Sequence, residues 1–265
     1  VWIRKSGTII NGLWSNDRLQ QQVEIKFANG DFYKGEIDSS NFKPFKFHGR
    51  GVYKFRIGVI YDGNYKNGLR EGFGKYSYEN GEEYQGDWIK GERQGHGTMK
   101  YSDGSIYRGG WSNNKREGKG VQTFANGGKF EGTWKNDLYT GIGKYIWESR
   151  EEYEGNWTDS LRNRYGIMKY LNGDIFKGEW EKDKRHGKGV LLLKDRRRVE
   201  GTWESDILQP IAKIDYPNGD KYEGEVNGKT FQKHGRGVLF FHNGGKYNGH
   251  WSNDKEIGQG KYIKE

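Results

Sequence analysis

Apolar and polar positions alternate along this chain in short runs, and no run settles into the period of a helix. In EEYQGDWIK (82–90), Tyr84, Gly86 and Trp88 fall on one side of an extended backbone, and Glu83, Gln85 and Asp87 on the other. Five residues before Gly86 stands Asn80-Gly81, and ahead of that turn GKYSYE (74–79) alternates in the same way. The pattern predicts a hairpin of two short antiparallel strands, followed by a polar connection, KGERQG. Equivalent dipeptides recur at Asp103-Gly104, Asn126-Gly127, Asn172-Gly173, Asn218-Gly219 and Asn243-Gly244. They predict type I′ turns, in which both central residues take positive φ.

The hairpin repeats. Aligning on the Gly that precedes Trp by two gives Gly12, Gly35, Gly63, Gly86, Gly109, Gly132, Gly155, Gly178, Gly201, Gly224 and Gly249. These are eleven units spaced by 23 residues, except for one step of 28 and a last step of 25. Repeats of this length stack a continuous structure from units that are unstable alone. The expected architecture is therefore all-β: one continuous array over 1–265, a single-layer antiparallel meander of up to 22 strands. The long steps hold insertions around NFKPFKF (41–47) and NGKTFQ (227–232). Segments 38–47 and 228–232 are expected to project as loops, with Phe42, Phe45 and Phe47 facing a partner.

Three aromatic rows follow from the period. One holds Tyr84, Tyr107, Phe130, Tyr153, Phe176, Tyr222 and Tyr247; a second holds Trp88, Trp111, Trp134, Trp157, Trp180, Trp203 and Trp251. The third, from the other strand, holds Phe55, Tyr78, Tyr101, Phe124, Trp147, Tyr170, Tyr216 and Phe241. Cross-strand aromatic pairs contribute about 0.2–1 kcal/mol each, and a Gly opposite leaves room for a ring to lie over the strand.

Composition agrees. Hydrophobic residues are 32% against 31% charged, a balance near that of disordered chains. Trp 10, Tyr 18 and Phe 13, with Gly 43 and Pro only 3, argue instead for many short strands and turns. The absence of cysteine excludes disulfides and thiol nucleophiles. No apolar run approaches the roughly 18 residues of a membrane helix, and no secretory leader is visible. The chain reads as a piece of a longer one.

Catalytic chemistry finds no support. The repeated Gly-x-Gly belongs to the hairpins, and no strand–turn–helix context makes it a nucleotide fingerprint. GEVNGKT (224–230) is one residue short of a phosphate loop. The six histidines form no ligand cluster, and the carboxylates lie on the solvent side with no nucleophile–base arrangement. No catalytic, cofactor-binding or metal-binding residue is expected. Net charge is +9, and the densest basic stretch holds Lys182, Lys184, Arg185, Lys188, Lys194, Arg196, Arg197 and Arg198. It reads either as a solvated face or as a surface for anionic lipid, acidic tubulin tails or an acidic protein. Nucleic acid is not expected, because the sheet itself needs the aromatics and no nucleic-acid motif is present.

The unit, Y-x-G-x-W followed by Gly-x-Gly and an Asn/Asp-Gly turn, resembles the MORN repeat family over essentially the whole chain. The resemblance implies an elongated, twisted single-layer sheet curled into an aromatic trough. It also implies a scaffold function, as in radial spoke head proteins of cilia, parasite cytoskeletal collars and a myosin-binding adaptor. The partner-binding residues it implies are Tyr78, Tyr84, Trp88, Tyr101, Tyr107, Trp111, Phe124, Trp134, Tyr153, Trp157, Tyr170 and Trp180. The implied setting is a cytoplasmic, cytoskeletal assembly, the ciliary axoneme foremost. The alternative, by likeness to junctophilins, is a module that tethers a protein to phosphoinositides or another anionic membrane. Departures occur at Arg164-Tyr165-Gly166, Pro210-Ile211-Ala212, Ser149-Arg150, Asp195-Arg196 and Val199, so the repeat is expected to bend differently around 147–166 and 194–212.

Overall fold

A computed structural model describes residues 1–16, 18–38 and 46–264. It divides into two compact units, Val1–Asp137 and Leu138–Glu265. The first holds twelve strands, from Trp2–Ile3 to Lys129–Lys135, and the second eleven, from Leu138–Ile146 to Lys255–Ile263; no helix occurs among the described residues. Within each unit every strand pairs antiparallel with its neighbours in the chain. All substantial strand contacts in a unit are between consecutive strands. The chain is thus an antiparallel β-meander, and neither unit has a second layer.

One repeat shows how the residues build this. Strand Glu83–Ile89 carries the Tyr-x-Gly-x-Trp run, and its burial alternates so that Tyr84, Gly86 and Trp88 are buried. The next strand, Glu92–Lys100, brings Gly97 opposite Gly86. This pairing repeats, so a column of glycines crosses the strands: Gly51, Gly63, Gly74, Gly86, Gly97, Gly109 and Gly120 in the first unit. The Tyr84 ring lies across two of them, and a Cβ on Gly97 would stand 2.5 Å from Tyr84 Cε2. The column exists because rings occupy the space where side chains would be.

The turns are distributed differently from the expectation. At Tyr78–Glu82, Gly81 N–H donates to the Tyr78 carbonyl and Tyr78 N–H to the Glu82 carbonyl. Only Gly81 has positive φ, and Asn80 does not. This is a three-residue turn ending in a left-handed Gly, not a type I′ turn. Asn80 instead uses its side chain, whose Oδ1 accepts from Glu82 N–H at 3.1 Å. Paired positive φ angles occur at the other connection, in Asn113-Asn114, Asn136-Asp137, Lys182-Asp183 and Asn253-Asp254. There only two residues separate the strands, so that turn must match their twist.

The irregular units keep most of the pattern. Arg150 and Arg196 adopt φ of 72°, and Arg164 55°, where other repeats place glycine. The Gly155–Gly166 pairing is retained between them. At Pro210, whose ring forbids positive φ, pairing to the next strand ends at Ile211–Glu225. Pairing at the equivalent site elsewhere reaches the Trp, as in Gly235–Trp251.

The second insertion is a loop, Asn227–Gln232, but Phe231 turns back to meet Trp203 at 5.8 Å. It supplies a ring in the unit whose Trp is replaced by Val226. Phe47 does the same in the unit where Ile37 stands for Trp, stacking on Tyr33 at 4.0 Å. Phe47 is therefore a packed, half-buried strand residue and not part of a projecting loop. Phe42, Phe45 and the rest of 39–45 lie outside the described residues.

Candidate interaction surface

The Tyr and Trp rows interlock. In the first unit the edge-to-face series runs Trp88–Tyr84–Trp111–Tyr107–Trp134, with centroids 5.1–5.3 Å apart. In the second it runs Trp157–Tyr153–Trp180–Phe176–Trp203. Each such pair adds about 0.5–1.5 kcal/mol beyond its buried area. Most of the polar atoms are satisfied locally, the buried Trp203 Nε1 excepted. Tyr84 hydroxyl donates to the Asp87 carbonyl at 3.1 Å, and Trp88 Nε1 to the Gly74 carbonyl at 3.2 Å. Trp134, Trp157 and Trp180 repeat the Trp bond on Gly120, Gly143 and Gly166.

This packing corrects the expected binding residues. Tyr84, Trp88, Tyr107, Trp111, Trp134, Tyr153, Trp157 and Trp180 are all no more than 5% exposed. They form the hydrophobic interior of a one-layer sheet, because each ring is covered by the rings of adjacent repeats. Tyr78, Tyr101, Phe124 and Tyr170 differ. They belong to the third row and are half-buried, as are Phe55, Trp147, Tyr216 and Phe241. Their backbones close the three-residue turns, and their rings lean on the strand that precedes them, as in Tyr76–Tyr78 at 4.6 Å and Tyr145–Trp147 at 4.6 Å. Burial raises the hydroxyl pKa of Tyr78, Tyr101 and Tyr170, against the opposing pull of nearby arginines. Tyr216 is pushed up to about 12, first by burial. These phenols are neutral donors at physiological pH, arrayed at the 23-residue period.

A row that sequence reading missed covers the indoles. Arg70, Arg93, Arg116, Arg162 and Arg185 stack on Trp88, Trp111, Trp134, Trp180 and Trp203 at 4.2–4.5 Å. Arg116 also bonds through Nε to Asp137 Oδ1 at 3.0 Å, and Arg162 and Arg185 do the same with Asp183 and Asp206. The signal was present, since four of these spacings are 23 or twice 23 residues. Where the ring is absent the whole set changes. Ile10, Leu19 and Val23 replace Tyr, Arg and the second Gly in one repeat, and Val199, Leu208 and Ala212 replace them in another; all six are buried.

The basic stretch does not gather into one patch. Arg185 is held against Trp203 and Asp206 on the aromatic side. Lys182 sits in a turn at one end of strand Lys184–Leu192, with Lys184 beside it, while Lys194, Arg196 and Arg197 lie beyond the other end. Nine extended residues separate those ends by about 30 Å. Lys188 and Arg198 are on the outer face. Arg197 pairs with Asp195 at 2.8 Å, and Arg198 with Glu200 at 2.7 Å and Asp215 at 3.3 Å. The stretch is contiguous in sequence and dispersed in space.

Among the described residues no helix is long and apolar enough to cross a membrane, and no group of three or more His, Asp or Glu side chains could hold a metal ion.

The MORN repeat pattern matches nine segments: 46–59, 61–83, 84–106, 107–129, 130–150, 153–175, 176–196, 232–246 and 247–264. No curated protein sequence matches the chain. Among solved structures, the chain is similar to the TCP10 domain of Danio rerio CPAP in complex with a peptide of Danio rerio STIL. Identity there is 14%, with 82% of this chain and 93% of that one covered and a TM-score of 0.45. It is also similar to the SAS-4 (dCPAP) TCP domain of Drosophila melanogaster in complex with a proline-rich motif of Ana2. Here identity is 13%, coverage 64% and 84%, and the TM-score 0.38. Likeness at this level does not extend to shared partners.

Proposed function

The chain belongs to the MORN repeat family, and from that premise we propose that it is a non-catalytic scaffold that positions partner proteins along the aromatic side of its repeats. One observation carries the reading: a half-buried aromatic recurs at the same place in successive repeats, at Tyr78, Tyr101 and Phe124 and again at Trp147 and Tyr170. The deeper rings are consumed by the sheet, and this row stays half-accessible beside them. Aromatic side chains with one polar tip are the residues that anchor protein interfaces. In this proposal the eleven repeats act as one array, and a cytoskeletal assembly is the setting, with the ciliary axoneme suggested by the resemblance to radial spoke head proteins.

The membrane reading is weaker because its charges are spread over both ends of a strand and are partly paired. Cross-linking mass spectrometry of the native complex tests the proposal, together with affinity capture by Tyr101→Ser and Tyr170→Ser variants whose circular dichroism is unchanged. Cross-linked partners whose capture falls about tenfold or more in those variants are expected. Capture that is indifferent to both substitutions, or lost only when Arg196, Arg197 and Arg198 are replaced, would sink it.

A further inference from the structure

The side of the second unit opposite the aromatic rows carries a groove of its own. Gly166, Gly178, Gly189, Gly201 and Ala212 stand opposite one another across five strands. On the aromatic side this column lies under the rings of Tyr153 and Phe176. On the outer side it is the floor of a concavity of about 610 Å³. Its two walls are rows of outward side chains, one on either side of the column.

Two features combine in this groove. Tyr165 and Ile211 stand over it 54% and 71% exposed, at a repeat position that is basic in Arg50, His96, Lys119 and Arg236 and apolar also in Phe73 and Ile142. They lie within the two departures from the Gly-x-Gly pattern, and Val190 and Leu192 continue the apolar lining between them. The charged lining is also one-sided: Lys177, Lys188, Arg198 and Lys213 against a single carboxylate, Glu200. Arg198 is engaged by Glu200 and Asp215, and Lys213 by Glu223. The Glu179 carboxylate packs over Gly187 at the strand's irregular end. Lys177 and Lys188 remain exposed in the middle.

The geometry points to a binding site for an extended acidic peptide segment with two apolar anchors. Its dimensions set the spacing. The strands of Tyr165 and Ile211 are four steps apart, or about 19 Å at ~4.8 Å per strand. An extended chain advances about 3.3 Å per residue, so anchors six residues apart reach both ends, with carboxylates between them over Lys177 and Lys188. The peptide crosses the strands and is held by side chains rather than by added strand pairing. This site lies on the face opposite the proposed scaffold surface, and either can fail without the other.

The test uses a fluorescein-labelled peptide, Leu-Glu-Asp-Ser-Asp-Glu-Leu, and fluorescence anisotropy with the whole 265-residue chain. Saturable binding is expected, weakened at least about tenfold by Lys177→Glu with Lys188→Glu, since like charges facing across an interface are strongly unfavourable. Ile211→Ser is expected to weaken it severalfold, and Tyr101→Ser to leave it unchanged. The residues are exposed, and Lys188→Gln gives the same reading with a smaller drop should the double reversal disturb the sheet. The proposal is overturned by no saturable binding, by equal binding of a peptide with Gln and Asn for its acids, or by indifference to the lysine variants. Capture of phosphatidylserine vesicles in place of the peptide also overturns it and assigns the groove to lipid.

Discussion

Tyr84 lies flat on Gly97. The ring is fully buried, its hydroxyl reaches past the glycine pair to the Asp87 carbonyl, and a methyl group on Gly97 would meet ring carbons at about bonding-excluded range. The two positions are therefore one structural choice, as the repeats with Val23 and Ala212 confirm: there Ile10 and Val199 replace the ring, and a side chain returns.

Gly97→Ala is accordingly expected to destabilise the protein by about 1–3 kcal/mol, the range of overpacked cores. Combined with Tyr84→Val, it should cost less than the sum of the two single changes. Urea unfolding of the four proteins of that cycle provides the measurement, and strict additivity would refute the coupling.

Arg116 sits 4.2 Å over Trp134 with its Nε on Asp137, and its side chain is 20% exposed. Arg116→Ala should cost about 1–3 kcal/mol, from the lost cation–π contact and charged hydrogen bonds. Arg116→Lys should recover only part of this: Lys233, in the equivalent place, lies 4.7 Å over Trp251 and 3.7 Å from Asp254, contacts longer than those of Arg116 and without the guanidinium's several directed hydrogen bonds. Thermal unfolding of both variants distinguishes this from a plain charge effect, for which Lys would suffice.

Arg150 and Arg196 hold the left-handed conformation that glycine holds in the other three-residue turns. Left-handed backbone costs an ordinary residue roughly 1–2 kcal/mol. Arg150→Gly and Arg196→Gly are each expected to raise stability by several tenths to about 1 kcal/mol, less than the full strain because glycine also loosens the unfolded chain. A lower denaturation midpoint for both would show that the arginine side chains contribute more than their backbones cost.

Burial pushes Tyr61 up to about 12 and raises Tyr84, Tyr107 and Tyr153 further. In the unfolded chain these phenols ionise near pH 10. Above that pH the unfolded state has released protons that the folded state retains, so stability is complete below about pH 10 and falls as pH rises toward the folded values. The unfolding midpoint should drop steeply over that window. Tyr61→Phe should make the drop shallower with little loss at neutral pH, since Phe130 and Phe176 already occupy equivalent places. A midpoint flat to pH 12 would contradict the burial.

Much of this was legible in the linear pattern. Alternation places Tyr84, Gly86 and Trp88 on one side of a strand whatever else happens, because side chains of an extended chain alternate. The 23-residue return of that pattern specifies two strands for each repeat and that consecutive ones pair, leaving only the short Trp2–Ile3 strand outside the count. Burial depth was not legible. Whether Tyr84 or Tyr101 remains accessible depends on rings one repeat away, and both read alike as aromatics on the same face. Turn geometry was likewise open: Asn80-Gly81 suits a two-residue turn by composition, and only the Tyr78–Glu82 pairing makes it a three-residue one. The same holds for charge. Lys182 through Arg198 run together along the chain, yet strand alternation and length carry Arg185 onto Trp203 and set Lys182 and Arg196 at opposite ends of a strand. Period is a property of the chain itself, whereas exposure is decided by what neighbouring strands place on top of each residue.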